Sequence, residues 1–350
     1  MAESLDNKTP ETETPRLVLR TYRATDFPHV DHMFVSNYFA LVPEGVRRKL
    51  WSPATWVVWF AVYSYLLMIV PVLLGGMDFP SWADTVLKLF FTFSWGAIGF
   101  AALFIITDQF DTQDRVEYAR QNDMKDPEVY YLNWNKKEVE VEDAPKGSSE
   151  KKQVTFDKDA KPATEIIRER KPESEQTPSH FWVLSMDGEP CGMVGLAINK
   201  DTVFDQRPAQ LAPWQKIGAG LFRRYNFSVP KFLDTPPKVE PKVFSKAHGP
   251  RTATLTRLTV KYDYQNCGLS TLLVNRALSW ANENGIDRVY AETNEMMMAA
   301  EQILEKRHGF KRINKKSTGW FGQYEAEWEC NVKEWVAKHE DQTKEAFKKT

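Results

Sequence analysis

The chain has 350 residues, more than one compact domain usually needs, so a domain with attachments is expected. Its 46 Lys and Arg nearly balance its 47 Asp and Glu, which leaves no global field to draw in nucleic acid, and no nucleic-acid partner is expected. Three cysteines, Cys191, Cys267 and Cys330, stand without metal-ligand spacing. That argues against a disulfide framework or a zinc site and suits a reducing compartment.

Residues 1–14 are acidic and polar, unlike a secretory leader, and read as a disordered tail. In residues 15–44, Leu17 and Leu19 alternate with Arg16 and Arg20, which predicts a strand, and a short helix is expected from about Asp26. Residues 51–107 hold a local extreme. Thr55 to Leu74 has no charged residue across 20 positions, and Leu89 to Ile106 is a second uncharged stretch of 18. At about 1.5 Å per residue the first is roughly 30 Å long as a helix, the thickness of a bilayer core. Trp51, Trp56 and Trp82 stand at or near the ends, and Lys88 is placed to snorkel. The competing reading is a pair of buried core helices, which normally carry a polar stripe. The short connection predicts a transmembrane hairpin with both outer ends on one side. Arg47, Arg48, Lys49, Arg115 and Arg120 flank it, and the positive-inside rule then puts both long flanks in the cytosol.

Residues 111–134 read as a helical continuation, with a polar helix from Asp111 to Asn122. From 135 to 178 the chain is dense in Lys, Glu, Asp, Ser and Pro and reads as a disordered insert, open to protein partners. Order resumes over 179–330. His180 to Ile198 reads as a hairpin turning at Asp187-Gly188-Glu189-Pro190, and an irregular insert follows over 199–250. Strand Thr252 to Val260, helix Leu269 to Asn282, strand Asp287 to Thr293, helix Met296 to Arg307 and strand Gly319 to Glu329 complete the core. Residues 331–350 read as a charged helix ending in "FKKT", a dilysine-like signal one place out of register. Two glycosylation sequons, at Asn7 and Asn226, serve as reporters of orientation. His29, His32, His180 and His308 show no ligand spacing, and no metal is expected.

The chemistry concentrates in "VKYDYQNCGLSTLL". Leu269, Leu272, Leu273, Ala277 and Trp280 predict one helical face packed on the sheet. The first turn, about Gln265 to Thr271, then presents unpaired N–H groups at the positive end of the helix dipole. Gly268 removes the side chain that would block an anion, and Ser270 and Thr271 add hydroxyl donors. A strand ending in such a loop suits a pyrophosphate. An ordinary strand–helix turn with a convenient glycine fits the local pattern equally well.

Gln265-Asn266-Cys267-Gly268-Leu269-Ser270 resembles the R/Q-x-x-G-x-G/A acetyl-CoA motif of the GNAT superfamily of N-acetyltransferases, with Ser in the last small position. "SMDGEPCGMVGL" is similar to that family's central hairpin, "RLVLRTYRATDF" to its first strand and helix, and the segment ending at Gly309-Phe310 to its fifth strand and fourth helix. An apolar segment between the first helix and the central strands resembles the membrane-bound, camello-like branch. The implied fold is a GNAT-type mixed β-sheet flanked by helices, with the hairpin and the inserts interrupting it. By the same resemblance, acetyl-CoA is the co-substrate, its pyrophosphate held by Gln265 to Ser270 and its pantetheine arm by the backbone of Leu258, Thr259 and Val260. An N–H near Leu258 would polarise the thioester while an amine attacks directly. Tyr290 and Glu292 alternate with Ala291 on the next strand, and Glu292 is the candidate general base. Where many relatives place a tyrosine as thiol proton donor, Leu304 or Glu305 stands here, with Tyr262 and Tyr264 as possible substitutes. The expectation is a membrane-bound N-acetyltransferase of the endoplasmic reticulum facing the cytosol, acting on a small primary amine, a cysteine conjugate or protein lysine. The alternative is a non-catalytic acyl-CoA-binding membrane protein that recruits partners.

Overall fold

The computed structural model describes residues 16–74, 80, 82–140, 164–209, 211–236 and 241–339. The N-terminal tail, the Asn7 sequon and the "FKKT" end lie outside them.

Seven strands build one sheet: β1 (Leu17–Thr21), β4 (His180–Met186), β5 (Glu189–Ala197), β8 (Thr252–Val260), β9 (Arg288–Asn294), β10 (Lys311–Ser317) and β11 (Tyr324–Asn331). Their spatial order is β1-β4-β5-β8-β9-β11-β10, and β8 with β9 is the parallel pair. β4 and β5 are buried on both faces, as central strands require. β11 alternates, with Tyr324, Ala326 and Trp328 inward and Glu325 and Glu327 outward. β10 is an exposed edge whose Lys311, Arg312, Lys315 and Lys316 discourage further strand pairing.

Helices cover both faces. On one, α9 (Leu269–Glu283) sets Leu273, Val274, Ala277, Leu278 and Ala281 against Leu184, Val194, Leu196 and Leu255. The buried face is rotated from the expected one, so Leu272 is exposed while Val274 and Leu278 are inside. On the other, α1 (Phe27–Ala40) and α5 (Gln113–Gln121) bring Val30, Phe34, Val116 and Ala119 against Phe181, Val183 and Met193.

Between α1 and α5 lie α2 (Val42–Leu50), α3 (Pro53–Leu74) and α4 (Trp82–Ile106). A π-helical turn, Thr107–Thr112, joins α4 to α5, so the polar helix expected from Asp111 is the end of one long rod. Both apolar helices are long and apolar enough to cross a membrane, and only 11% and 6% of their apolar windows are buried. That exposure disfavours the buried-core alternative. They meet each other through Gly99, where the Trp59 ring packs so closely that no Cβ would fit, and through a Tyr63–Thr92 hydroxyl contact at 2.9 Å.

Both inserts differ from expectation. Residues 135–178 contain an antiparallel pair, β2 (Trp134–Glu140) with β3 (Thr164–Arg170), the chain between them lying outside the described residues. Buried Glu128, on α6 (Pro127–Tyr131), pairs with Lys136 and Arg168, and Trp134 lies under Arg168 and Arg170. Charge pairing holds this hairpin, which a hydropathy pattern does not register. Residues 199–250 contain α7 (Pro213–Arg224), α8 (Lys231–Asp234) and a small pair, β6 (Val203–Phe204) with β7 (Val243–Ser245). Further on, β10 was not expected. The helix from Met296 shortens to α10 (Met298–Gln302) plus a π turn over Ile303–Arg307, and the last strand starts at Tyr324 rather than Gly319. The charged terminal segment is helical over 332–339.

His180 lies between Trp182 and Trp280, and His308 is buried; burial lowers both pKa values from 6.5 to about 4. The unfolded chain therefore takes up protons between pH 6.5 and about 4 that the folded chain refuses. Stability is expected to fall on acidification through that window. Denaturant titrations on either side of it check this, and His308→Leu should flatten the dependence.

Candidate active site

β8 and β9 pair from Thr252–Arg288 to Leu255–Ala291 and no further, although both strands continue. Beyond that point β8 stays with β5 through Met193–Thr259 and Gly192–Val260, while β9 stays with β11 through Glu292–Glu327 and Asn294–Glu325. The sheet therefore opens as a V between 256–260 and 292–294. Leu258, Thr259 and Val260 form one wall, with no strand of the described residues on their cleft side. The split begins at a bulge in β8, where Arg257 adopts φ +53° and the register against β5 shifts.

At the mouth of the V the chain turns through Tyr262–Tyr264 into α9, with Gly268 as the N-cap at φ +80°. A Cβ at Gly268 would meet nothing within 4 Å, so the space above it is open. Among the described residues no acceptor takes the N–H of Asn266, Cys267, Gly268, Leu269 or Ser270. Five free amides converge on one helix N-terminus, at the C-terminal ends of the strands, where open α/β sheets bind ligands. The Gln265 N–H is already spent on the Tyr262 carbonyl, and its side chain holds Asn37 Oδ1 at 3.0 Å. Thr271 N–H closes on the Gly268 carbonyl, and its Oγ1 accepts from Arg307 at 3.1 Å. Arg307 thus sets a cation beside the amide turn, a residue the linear motif does not include. Cys267 is exposed, its thiol against the Gln265 carbonyl.

Val289, Ala291 and Thr293 face α9, which turns Tyr290 and Glu292 to the opposite side, toward α1 and α5. Glu292 is solvent-exposed, yet protein is dense around its carboxyl. That crowding pushes its carboxyl pKa up; Glu327 and Glu325 add to the effect, and Arg257 and Lys246 oppose it. No ion pair holds Glu292 among the described residues. Tyr118 of α5 shares its field and is pushed up to about 12, chiefly by burial and Asp205.

Below the bulge lies a buried polar network that sequence reading missed. Arg257 donates two hydrogen bonds to Asp123, at 2.8 and 2.6 Å, and Asp123 is 1% exposed. The Tyr131 hydroxyl joins Asp123 to Thr256 Oγ1. Tyr131 reaches there because Gly195 on β5 has no side chain; a Cβ would stand 2.9 Å from its ring. Leu304, at the place of the family's usual tyrosine, is buried in the α9-side core, Tyr262 is 72% exposed, and Tyr264 is partly covered. Met296 is buried, consistent with packing.

A mixed sheet split at its parallel pair, with helices on both faces and a helix starting at the opening, is a GNAT-like α/β fold. The acetyltransferase (GNAT) family model matches residues 148–310, a little under half of the chain, and supports a GNAT-family acetyltransferase. Among solved structures, a GNAT-family acetyltransferase from Staphylococcus aureus Mu50 is 10% identical, covering 91% of this chain and 99% of its own, at a TM-score of 0.36. The ribosomal-protein-S18-alanine N-acetyltransferase of Escherichia coli is 13% identical over 45% of this chain and 73% of its own, at 0.28. A Bacillus anthracis str. Ames protein solved in complex with acetyl coenzyme A is 14% identical over 57% of this chain and 98% of its own, also at 0.28. None of the curated proteins matches this chain.

Proposed function

We propose that this protein is an integral-membrane N-acetyltransferase of the camello-like kind, moving an acetyl group from acetyl-CoA to a primary amine. The observation that carries the reading is the run of free amides from Asn266 to Ser270 around the open face of Gly268. They suit two linked phosphates, with Arg307 and the Thr271 hydroxyl beside them. The edge of Leu258, Thr259 and Val260 that β9 leaves open suits an extended pantetheine arm, the Val260 carbonyl accepting from Gln265 Nε2 at 3.3 Å, and the Leu258 N–H would meet the thioester oxygen. Bound there, acetyl-CoA supplies an activated acyl carbon open to direct attack. Glu292 holds the position and the raised pKa of a general base that takes a proton from the incoming ammonium, directly or through water, with Tyr290 on the same face.

The expected result with purified protein in detergent is CoA release on adding amines or cysteine conjugates. In the wild type, kcat/KM should rise with pH through the raised Glu292 pKa. Glu292→Gln should lose that limb and fall by about 10²–10⁴-fold. A chain that binds acetyl-CoA but releases no CoA with any amine supports the second reading, an acyl-CoA-binding scaffold, which buried Leu304 at the acid position favours.

α3 and α4 are proposed to cross the bilayer of the endoplasmic reticulum as a hairpin with the sheet on the cytosolic side, lipid being the partner of their exposed apolar faces. Trp51, Trp56 and Trp82 are exposed near its ends, as interfacial rings would be. Such a chain should resist carbonate extraction and stay unglycosylated at exposed Asn226. Glycan at that site would reverse the orientation.

A further inference from the structure

We propose that α7 lies on an anionic leaflet beside the hairpin, seating Trp214, Ile217 and Leu221 at the lipid interface; this rests on the membrane reading of α3 and α4. Positions 214, 217 and 221 fall on one helical stripe, and each of the three side chains is more than half exposed. The side of α7 that carries Gln215 and Ala219 is already buried, with Gly218 at the border of the exposed stripe. Gly218 packs on Leu233 of α8, and Gln215 donates to the carbonyls of Phe232 and Thr235. Tyr225, Phe227 and Phe232 extend the exposed patch. A soluble domain rarely leaves so many large apolar rings uncovered together.

Charge and position select the occupant. α7 carries Lys216, Arg223 and Arg224 and no acidic residue; Arg223 pairs with Asp234 of α8 at 2.7 Å, and exposed Arg224, with Lys231 of α8, complements anionic headgroups. The insert that bears it is tied to the stem of the hairpin. Arg207 pairs with Asp114 at 2.7 Å and covers the Tyr118 ring, and Asn122 donates to Asp205. Asp114 lies eight residues beyond Ile106 on a nearly continuous helix, so this clamp stands about 12 Å from the end of the apolar span. From Arg207 to the start of α7 the chain spans at most about 20 Å. α7 is therefore leashed within reach of the leaflet.

The test is hydrogen exchange on the full chain in nanodiscs of phosphatidylcholine with phosphatidylserine, of phosphatidylcholine alone, and in detergent. Peptides over 213–225 should exchange most slowly in the discs with phosphatidylserine. Trp214→Ala/Leu221→Asp should abolish that protection. Arg224→Glu/Lys231→Glu should remove the serine-lipid dependence, each lost basic charge weakening the contact by about fivefold. All four side chains are exposed, so folding should survive and acetyl-CoA binding reports that it has. A chain that co-elutes with discs yet exchanges equally everywhere overturns the proposal and leaves the face to a protein partner. A chain that never enters discs overturns both this proposal and the membrane reading.

Discussion

Gly268→Val is expected to abolish acetyl-CoA binding while the protein still folds and enters membranes. Two effects act together. The left-handed backbone at φ +80° costs a β-branched residue about 1–2 kcal/mol or more. The new side chain also projects into the open space that the amides of 266–270 surround. Because nothing of the protein lies within 4 Å of a Cβ there, the substitution displaces no core atom. The loss should therefore appear in binding far more than in stability. Calorimetric titration with acetyl-CoA should show at least about a 100-fold weaker Kd, near 2.7 kcal/mol. Gly268→Ala should lie between the two proteins. Equal affinity in all three would mean that the glycine serves the turn alone.

Asp123→Ala is expected to be the most destabilising single change in the catalytic domain. It leaves the Arg257 guanidinium at the β8 bulge without the carboxylate that accepts its two hydrogen bonds, and strips the Tyr131 hydroxyl of one acceptor. Breaking a buried pair from one side costs about 3–5 kcal/mol. For a domain of this size that is roughly a 10 °C fall in melting temperature. Replacing both partners, as Asp123→Leu/Arg257→Met, should recover much of the stability, because no charge is then stranded. It should not recover kcat. With both side chains replaced, the tether that fixes residue 257 at φ +53° is lost, and the Leu258 N–H that follows it should move. A misplacement of about 1 Å near reacting atoms costs roughly 10²-fold. A double variant with both stability and turnover restored would reduce the network to packing.

Where one residue acts by its own local chemistry, the sequence was a good guide. Gly268 at a strand–helix switch, the alternation in β8 and β9, and two long uncharged stretches each announce themselves through backbone rules or hydropathy. What stayed hidden depends on distance along the chain. Asp123 and Arg257 are 134 residues apart, and neither is unusual until the sheet brings them together. Arg307 meets Thr271 across 36 residues from a π turn that no periodicity predicts. The β2–β3 hairpin escaped because its docking is ionic, through Glu128, Lys136 and Arg168. β10 escaped because an edge strand of lysines and an arginine has no apolar face to show.

Hydrogen exchange of residues 265–271, with and without ligand, decides whether the start of α9 grips diphosphate. Acetyl-CoA should slow the amides of Asn266 to Ser270, which have no acceptor among the described residues, and S-acetylpantetheine, which lacks the pyrophosphate, should leave them unchanged. Tight binding of acetyl-CoA with those amides still exchanging freely would place its phosphates elsewhere and contradict the account.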